Sequence, residues 1–307
     1  MSRFAPIDHL HRVEQLQTRL DAGLGNGCNA LLFTDLVDVR WLTGFTGSNG
    51  WAVLRADELI VGTDGRYGER ALVETAGTGA TVHAETTRTA LHDRLVASLA
   101  GAARVGLDPA STSHAEWRRL EADLPLEATD SLVKLQRRRK DDAEIERMHA
   151  AAAAADAALA EVEPLLFATV DDPVTETDVR DELEYRMRRH GADDRSYDTI
   201  VASGPDHGAR PHHDAARRTI VEGDTVVIDV GALVEGYHSD MTRTFVLGEP
   251  ESWQREVYQL VRTAQRAGRR ALVGGAQLCE VDAAARRVIE DAGYGDCFGH
   301  GLGHGVG

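Results

Sequence analysis

The stretch VVIDVGALVEGYHSDMTRTF, residues 226 to 245, carries two carboxylates that a simple fold would bring together. Residues 226 to 230 are β-branched apart from Asp229, and residues 242 to 246 (TRTFV) alternate. Val234-Glu235-Gly236-Tyr237 supplies a turn with a glycine where positive φ is favoured. The segment therefore predicts a β-hairpin. With Glu235 and Gly236 at the tip, Asp229 faces Asp240 to within a residue or two. Directly opposed side chains hold their Cβ atoms roughly 4.5 to 5.5 Å apart, and like charges there repel. A raised pKa on one carboxyl, a cation held between the two, or a slipped register that turns one Asp to solvent would each relieve the clash.

Around this hairpin lies a chain of 307 residues, long enough for two domains with separate cores. Its hydrophobic content of 42% and charged content of 27% are those of a soluble globular protein. The formal charge of −16 argues against nucleic acid as a partner, because neutralising phosphates needs clustered Lys and Arg. Lys134 and Lys140 are the only lysines among 34 basic residues. Cys28, Cys279 and Cys297 match no Cys-x-x-Cys pattern, which fits a reducing cytoplasm. The N-terminus lacks the apolar run of a signal peptide, and no later stretch has the length and apolarity of a bilayer span, so a cytoplasmic protein without membrane contact is expected.

The first part alternates strand-like runs at 29–33, 51–54, 59–62, 80–84 and 104–108 with helical spacing at 8–21, 66–76, 89–100 and 112–123, the pattern of an α/β domain. LPLEATD (124–130) reads as a connector, and the charged run QRRRKDD (136–142) as the place where this domain ends. From Asp141 or Asp142 an Ala-rich helix is predicted, with Ile145, Met148, Ala152, Ala155, Leu159, Val162 and Leu166 as its buried stripe. A second helix starts at a capping box, Thr175-Glu176-Thr177-Asp178, and closes on Arg188-Arg189-His190-Gly191. Val179, Leu183, Met187 and Gly191 are echoed at Val281, Ala285, Ile289 and Gly293, which suggests a duplicated α+β unit cupping a central site.

Two further polar clusters accompany the Asp pair: SGPDHGARPHHD (203–214) and the terminal GHGLGHGVG (299–307). Five glycines in nine residues exclude a helix, at about 1 kcal/mol each, and point to a strand or tight loop in which His300 and His304 share a face. Asp, Asp and His make an oxygen-rich donor set with one nitrogen, suited to Mn, Fe, Co or Zn more than to copper.

These segments resemble, in pattern and order, the pita-bread metallopeptidase family that contains Xaa-Pro aminopeptidases, prolidases and methionine aminopeptidases. DVRWLTGFTGSNG (38–50) and TDGRYGERA (63–71) are similar to the creatinase-type N-terminal domain of its Xaa-Pro branch. The resemblance implies an α/β N-terminal domain over residues 1–135 and a duplicated α+β pita-bread catalytic domain over residues 136–307, truncated at its C-terminus. It implies Asp229, Asp240 and His304 as ligands of two divalent metal ions, with manganese first and cobalt, zinc or iron after it. His212 corresponds to the substrate-side histidine that steadies the tetrahedral intermediate or shuttles a proton, and His300 to the histidine lining the site near the scissile bond. His207 and His213 are expected to be solvated. Asp38 resembles a residue that approaches a neighbouring subunit's site, with a turn-capping role as the alternative, and Asp64 and Arg66 are expected in a hairpin turn. The implied reaction is metal-assisted hydrolysis, a water activated between two cations attacking the carbonyl before proline in a peptide substrate; a homodimer is expected on the same ground.

Past Gly307 the family pattern continues with a further histidine and two glutamate ligands that this sequence does not contain, so a fragment of a longer product is expected ahead of a decayed homologue. The rival readings are a creatinase-like hydrolase that uses no metal and a catalytically dead module that binds a peptide or protein in the cleft.

Overall fold

Apolar runs without alternation build the first sheet, because both of its faces are covered. The computed structural model describes residues 3–23, 26–130, 132–167, 173–210 and 212–307, and its contacts divide the chain into two units, Met1–Ala143 and Glu144–Gly307. The first unit runs α1 (His9–Asp21), β1 (Ala30–Phe33), α2 (Leu36–Thr43), β2 (Gly50–Arg55), β3 (Leu59–Asp64), α3 (Gly68–Glu74), β4 (Thr81–Glu85), α4 (Arg88–Ser98), β5 (Val105–Leu107), α5 (His114–Glu121), β6 (Leu126–Ala128) and α6 (Leu132–Arg137). The strands form one sheet in the order β4-β3-β2-β1-β5-β6, antiparallel only where β2 meets β1 and β3. Leu31 and Phe33 of β1 pack with Val13, Leu16 and Leu42 on one face, and Ala30 and Leu32 pack with Leu91, Leu95 and Leu120 on the other.

Three expectations for this unit change. The connector LPLEATD contains β6, which pairs in parallel with β5; three residues suffice because the neighbouring strand supplies the hydrogen bonds. Asp38 neither caps a turn nor faces solvent. It is 2% exposed on α2 and accepts a hydrogen bond from Arg137 Nη1 at 2.8 Å, and it is Asp35 that caps the helix. Burial raises the Asp38 carboxyl above the usual range against the lowering effect of Arg137. Asp64 and Arg66 form an ion pair at 2.9 Å in the turn between β3 and α3, not in a hairpin.

The second unit opens with α7 (Asp142–Phe167) and α8 (Glu176–Arg189), then β7 (Asp194–Arg195), β8 (Ile200–Ser203), the short α9 (Gly204–His207), β9 (Thr225–Val230), β10 (Ala232–Val234), β11 (Tyr237–His238), β12 (Met241–Val246), α10 (Ser252–Ala271) and α11 (Leu278–Asp291). The buried stripe of α7 starts one residue earlier than its apolar periodicity implies. Glu144 and Arg147 are buried where Ile145 and Met148 were expected, and Ile145 is exposed. The reason is polar: the Tyr237 hydroxyl donates to Glu144 at 3.0 Å, and Arg147 donates to Glu235 at 2.9 Å. From Ala155 onward Leu159, Val162 and Leu166 are buried as expected.

The echo between the two helices is present in three dimensions. Both α8 and α11 are 14 residues long, bury Val179, Leu183, Met187 and Val281, Ala285, Ile289 respectively, and are followed by Gly191 and Gly293 in the left-handed region. Among the described residues, no helix is long and apolar enough to cross a membrane.

Candidate metal centre

The hairpin forms in the expected register, and a second, smaller hairpin interrupts it. β9 pairs with β12 from Thr225↔Val246 to Val230↔Met241, and β10 pairs with β11 beyond, closing on Glu235 (φ 47°) and Gly236 (φ 90°). β9 and β12 form a sheet with β8, whereas β10 and β11 form one with β7, so the chain changes sheet at Gly231 and again at Asp240. At that jog Ser239 N donates to Ala232 O at 2.9 Å, and Ala232 N donates to Ser239 Oγ at 3.0 Å. A Cβ on Gly231 would lie 2.0 Å from the Ser239 carbonyl oxygen and 2.9 Å from the Tyr197 ring. Gly231→Ala is therefore expected to destabilise the unit by about 1–3 kcal/mol or more, as overpacking against backbone does, and to displace Asp240 and Tyr197. A thermal melt and a metal titration of the variant check both effects.

Asp229 opposes Thr242, not Asp240. The two carboxylates are diagonal neighbours on one face, because Asp240 lies two residues from Thr242 and side chains alternate. Separation on the diagonal relaxes the repulsion without turning either side chain away. Between them stands a residue the sequence did not single out. Tyr197 Oη donates to Asp229 Oδ1 at 2.6 Å and lies 3.1 Å from Asp240 Oδ1. Burial, the bond to Asp229 and the charges of both aspartates push the phenol well above its usual range. No periodic signal marks Tyr197, which sits in the irregular link between β7 and β8, held by Ser196 N donating to Gly231 O at 2.7 Å.

His304 reaches the same place. Its Nε2 lies 3.3 Å from Asp240 Oδ2, and its ring is largely exposed. The terminal run 299–307 takes the irregular of its two expected forms, a loop and not a strand. His300 packs edge-on against Phe298 at 4.8 Å and turns its Nδ1 to the Gly301 carbonyl at 2.8 Å. Among the described residues, no hydrogen bond or ion pair joins His300 or the exposed His212 to the carboxylate pair, and Pro211, before His212, lies outside the described residues.

What holds the terminal run is α11. Arg286 donates to the carbonyls of Phe298 and His300, each at 2.7 Å, while pairing with Asp282 one turn earlier. Asp282 in turn accepts Leu302 N at 2.8 Å. Arg286→Ala is expected to free His304 from its position and to weaken metal affinity about 10–100-fold, the usual cost of losing an orienting partner. The apparent Kd for Mn, measured by calorimetry, is the check.

Two carboxylates and one imidazole on a common face fit divalent first-row cations. A second cluster in this unit was not expected. His207 and His213 are not solvated: His213 is 7% exposed, His207 is half-buried, and their rings stack at 4.1 Å. Both point at Glu176, which is fully buried at the start of α8 and also accepts Ser203 N, Ser203 Oγ and Ala216 N at 2.7–3.0 Å. Burial alone would raise the Glu176 carboxyl, but these donors outweigh it and lower it to about 2. The signal for its burial was in the sequence, since Glu176 lies three residues before Val179 on the apolar stripe of α8.

The model of metallopeptidase family M24 matches residues 146–307, and that of the creatinase/prolidase N-terminal domain matches residues 12–139. The uncharacterized peptidase YqhT of Bacillus subtilis is 37% identical over 92% of this chain and 78% of its own. The Xaa-Pro dipeptidase of Pyrococcus furiosus is 42% identical over 58% of this chain, a match spanning 50% of that relative. Among solved structures, the Xaa-Pro dipeptidase from Bacillus anthracis superposes with a TM-score of 0.86 at 32% identity, covering 97% of this chain and 82% of that one. The prolidase from Pyrococcus furiosus gives a TM-score of 0.83 at 30% identity, covering 95% and 82%. The chain belongs to metallopeptidase family M24 and carries the creatinase/prolidase type of N-terminal domain.

Proposed function

We propose that this protein hydrolyses the bond before proline at the N-terminus of peptides or in dipeptides, with Asp229, Asp240 and His304 contributing ligands to its divalent cations. The observation that carries this reading is the convergence of both carboxylates on the Tyr197 hydroxyl, with His304 Nε2 at 3.3 Å from one of them. Relatives named for Xaa-Pro dipeptidase activity supply the substrate class.

Bound cations supply Lewis-acid polarisation of the scissile carbonyl and lower the pKa of water to near neutrality. The chain's own groups do the rest. Asp229 and Asp240 provide negative charge on one face of the sheet, Tyr197 fixes the rotamer of Asp229 through its hydroxyl hydrogen bond, and Arg286 keeps the segment bearing His304 in place. His212 is assigned to the substrate side as a proton carrier, and His300 to the lining near the scissile bond. We assign manganese as the working metal, a cytoplasmic location, a homodimer as the assembly, and a division into residues 1–135 and 136–307. The family resemblance supports these four assignments.

The test is hydrolysis of Ala-Pro and Ala-Pro-Phe against Ala-Ala, with added Mn and after exhaustive chelation. Turnover of the proline peptides that disappears on chelation and returns with Mn is expected. Equal rates on Ala-Ala, or hydrolysis indifferent to chelation, would remove the proposal.

A further inference from the structure

The Glu176 cluster presents an electrostatic imbalance. A fully buried carboxylate needs a countercharge, yet among the described residues no arginine or lysine forms an ion pair with Glu176. The nearby guanidinium of Arg218 is committed elsewhere, donating from both terminal nitrogens to Asp224 at 2.6 and 2.9 Å and to Ser203 Oγ at 2.6 Å. Arg218 acts on Glu176 only at a distance, and among the described residues the chargeable groups in direct contact with the carboxylate are the two imidazoles. Their ring centroids are 4.1 Å apart, so protonating both would set like charges against each other.

The donor geometry offers another solution. Oε1 of Glu176 is occupied by Ser203 N and Ser203 Oγ, and Oε2 by Ala216 N. His213 Nε2 approaches Oε2 to 2.9 Å, and His207 Nδ1 straddles the carboxylate, 2.9 Å from Oε1 and 3.0 Å from Oε2. One carboxylate oxygen and two imidazole nitrogens thus form a group of three donor atoms, each within 4.8 Å of the others. Two histidines and a carboxylate, with a fourth position left to water, form a known three-ligand set for zinc.

We propose that Glu176, His207 and His213 bind a zinc-class divalent cation at a site separate from the Asp229–Asp240 pair. The ion takes the lone pairs of both neutral imidazoles and balances the buried carboxylate without a protonated histidine. Its three ligands come from the start of α8, the end of α9 and the loop after it, so it also ties down the segment that carries His212. This assignment does not depend on the hydrolytic reading.

The Asp229→Asn/Asp240→Asn chain, which lacks the other carboxylate ligands, separates the two sites. Equilibrated with zinc and passed through a desalting column, it is expected to keep about one zinc per chain and to melt at a higher temperature with zinc than without. Adding His207→Ala and His213→Ala should remove both the retained zinc and the shift. A zinc-free Asp229→Asn/Asp240→Asn chain would overturn the proposal, as would zinc retained after both histidines are replaced. Should the histidine variants fail to fold, cobalt loading of the Asp229→Asn/Asp240→Asn chain decides. Visible bands of a four- or five-coordinate ion support the site, and the pale spectrum of hexaaquo cobalt alone refutes it.

Discussion

Asp240→Asn is expected to lower kcat/KM on a Xaa-Pro peptide by about a thousandfold or more, equivalent to roughly 4 kcal/mol of transition-state stabilisation. The substitution keeps the shape of the side chain and its place at the sheet change, so the fold should persist. What it removes is charge. Asp240 is the residue through which the strand pair and the terminal run meet, since one of its oxygens faces Tyr197 and the other faces His304. An amide there halves the negative charge offered to the cations and presents an NH₂ or a weaker oxygen to His304. Steady-state kinetics with saturating Mn, alongside a melting curve to confirm folding, make the measurement. A variant that retains wild-type turnover would show that the reaction does not use this carboxylate.

Glu176→Ala is expected to cost about 3–5 kcal/mol of stability, the range for removing one partner from a buried charged network. Five donors lose their acceptor at once: Ser203 N, Ser203 Oγ, His207 Nδ1, His213 Nε2 and Ala216 N. The donors of Ser203 and His213 cannot turn to water easily, because both residues are themselves buried. At roughly 2–4 °C per kcal/mol, the melting temperature should fall by about 10 °C. Glu176→Gln should fall between the two proteins, since its amide oxygen can still accept from some of the donors. A loss below about 1 kcal/mol for the alanine variant would mean that the loop repacks and satisfies its donors elsewhere.

The contrast between these two clusters explains what reading residues alone could and could not reach. The Asp pair was legible because a hairpin is a local object. Turn chemistry at Glu235-Gly236 fixes which residues oppose, and period-two alternation then puts Asp229 and Asp240 on one face. His304 was legible only as a residue type in a glycine-rich run. Of the strand or tight loop expected there the loop forms, and His304 meets Asp240 because Arg286 and Asp282 on α11 grip the backbone around it. The Glu176 cluster was misread for a related reason. A charged residue in the first turn of a helix is ordinarily a solvated partner of the macrodipole, and two histidines in a polar loop are ordinarily wet. Burial of all three depends on where that loop folds back, which no local pattern encodes.

The sequence by itself determined β1 to β5 and α1, α3, α4 and α5 of the first unit, the capping and length of α8, its echo in α11, and the register that aligns the two aspartates. Each follows from periodicity, turn chemistry or capping within a few residues. Tertiary structure alone decided that Tyr197 stands between the carboxylates, that α7 buries Glu144 and Arg147 at its start in place of Ile145 and Met148, and that Glu176 lies under two imidazoles. In each case a polar group far along the chain supplied the partner. Burying a hydrogen-bonded polar group is cheap and burying an unpaired one is not, so the choice of which face turns inward waits for contacts that only the folded chain creates.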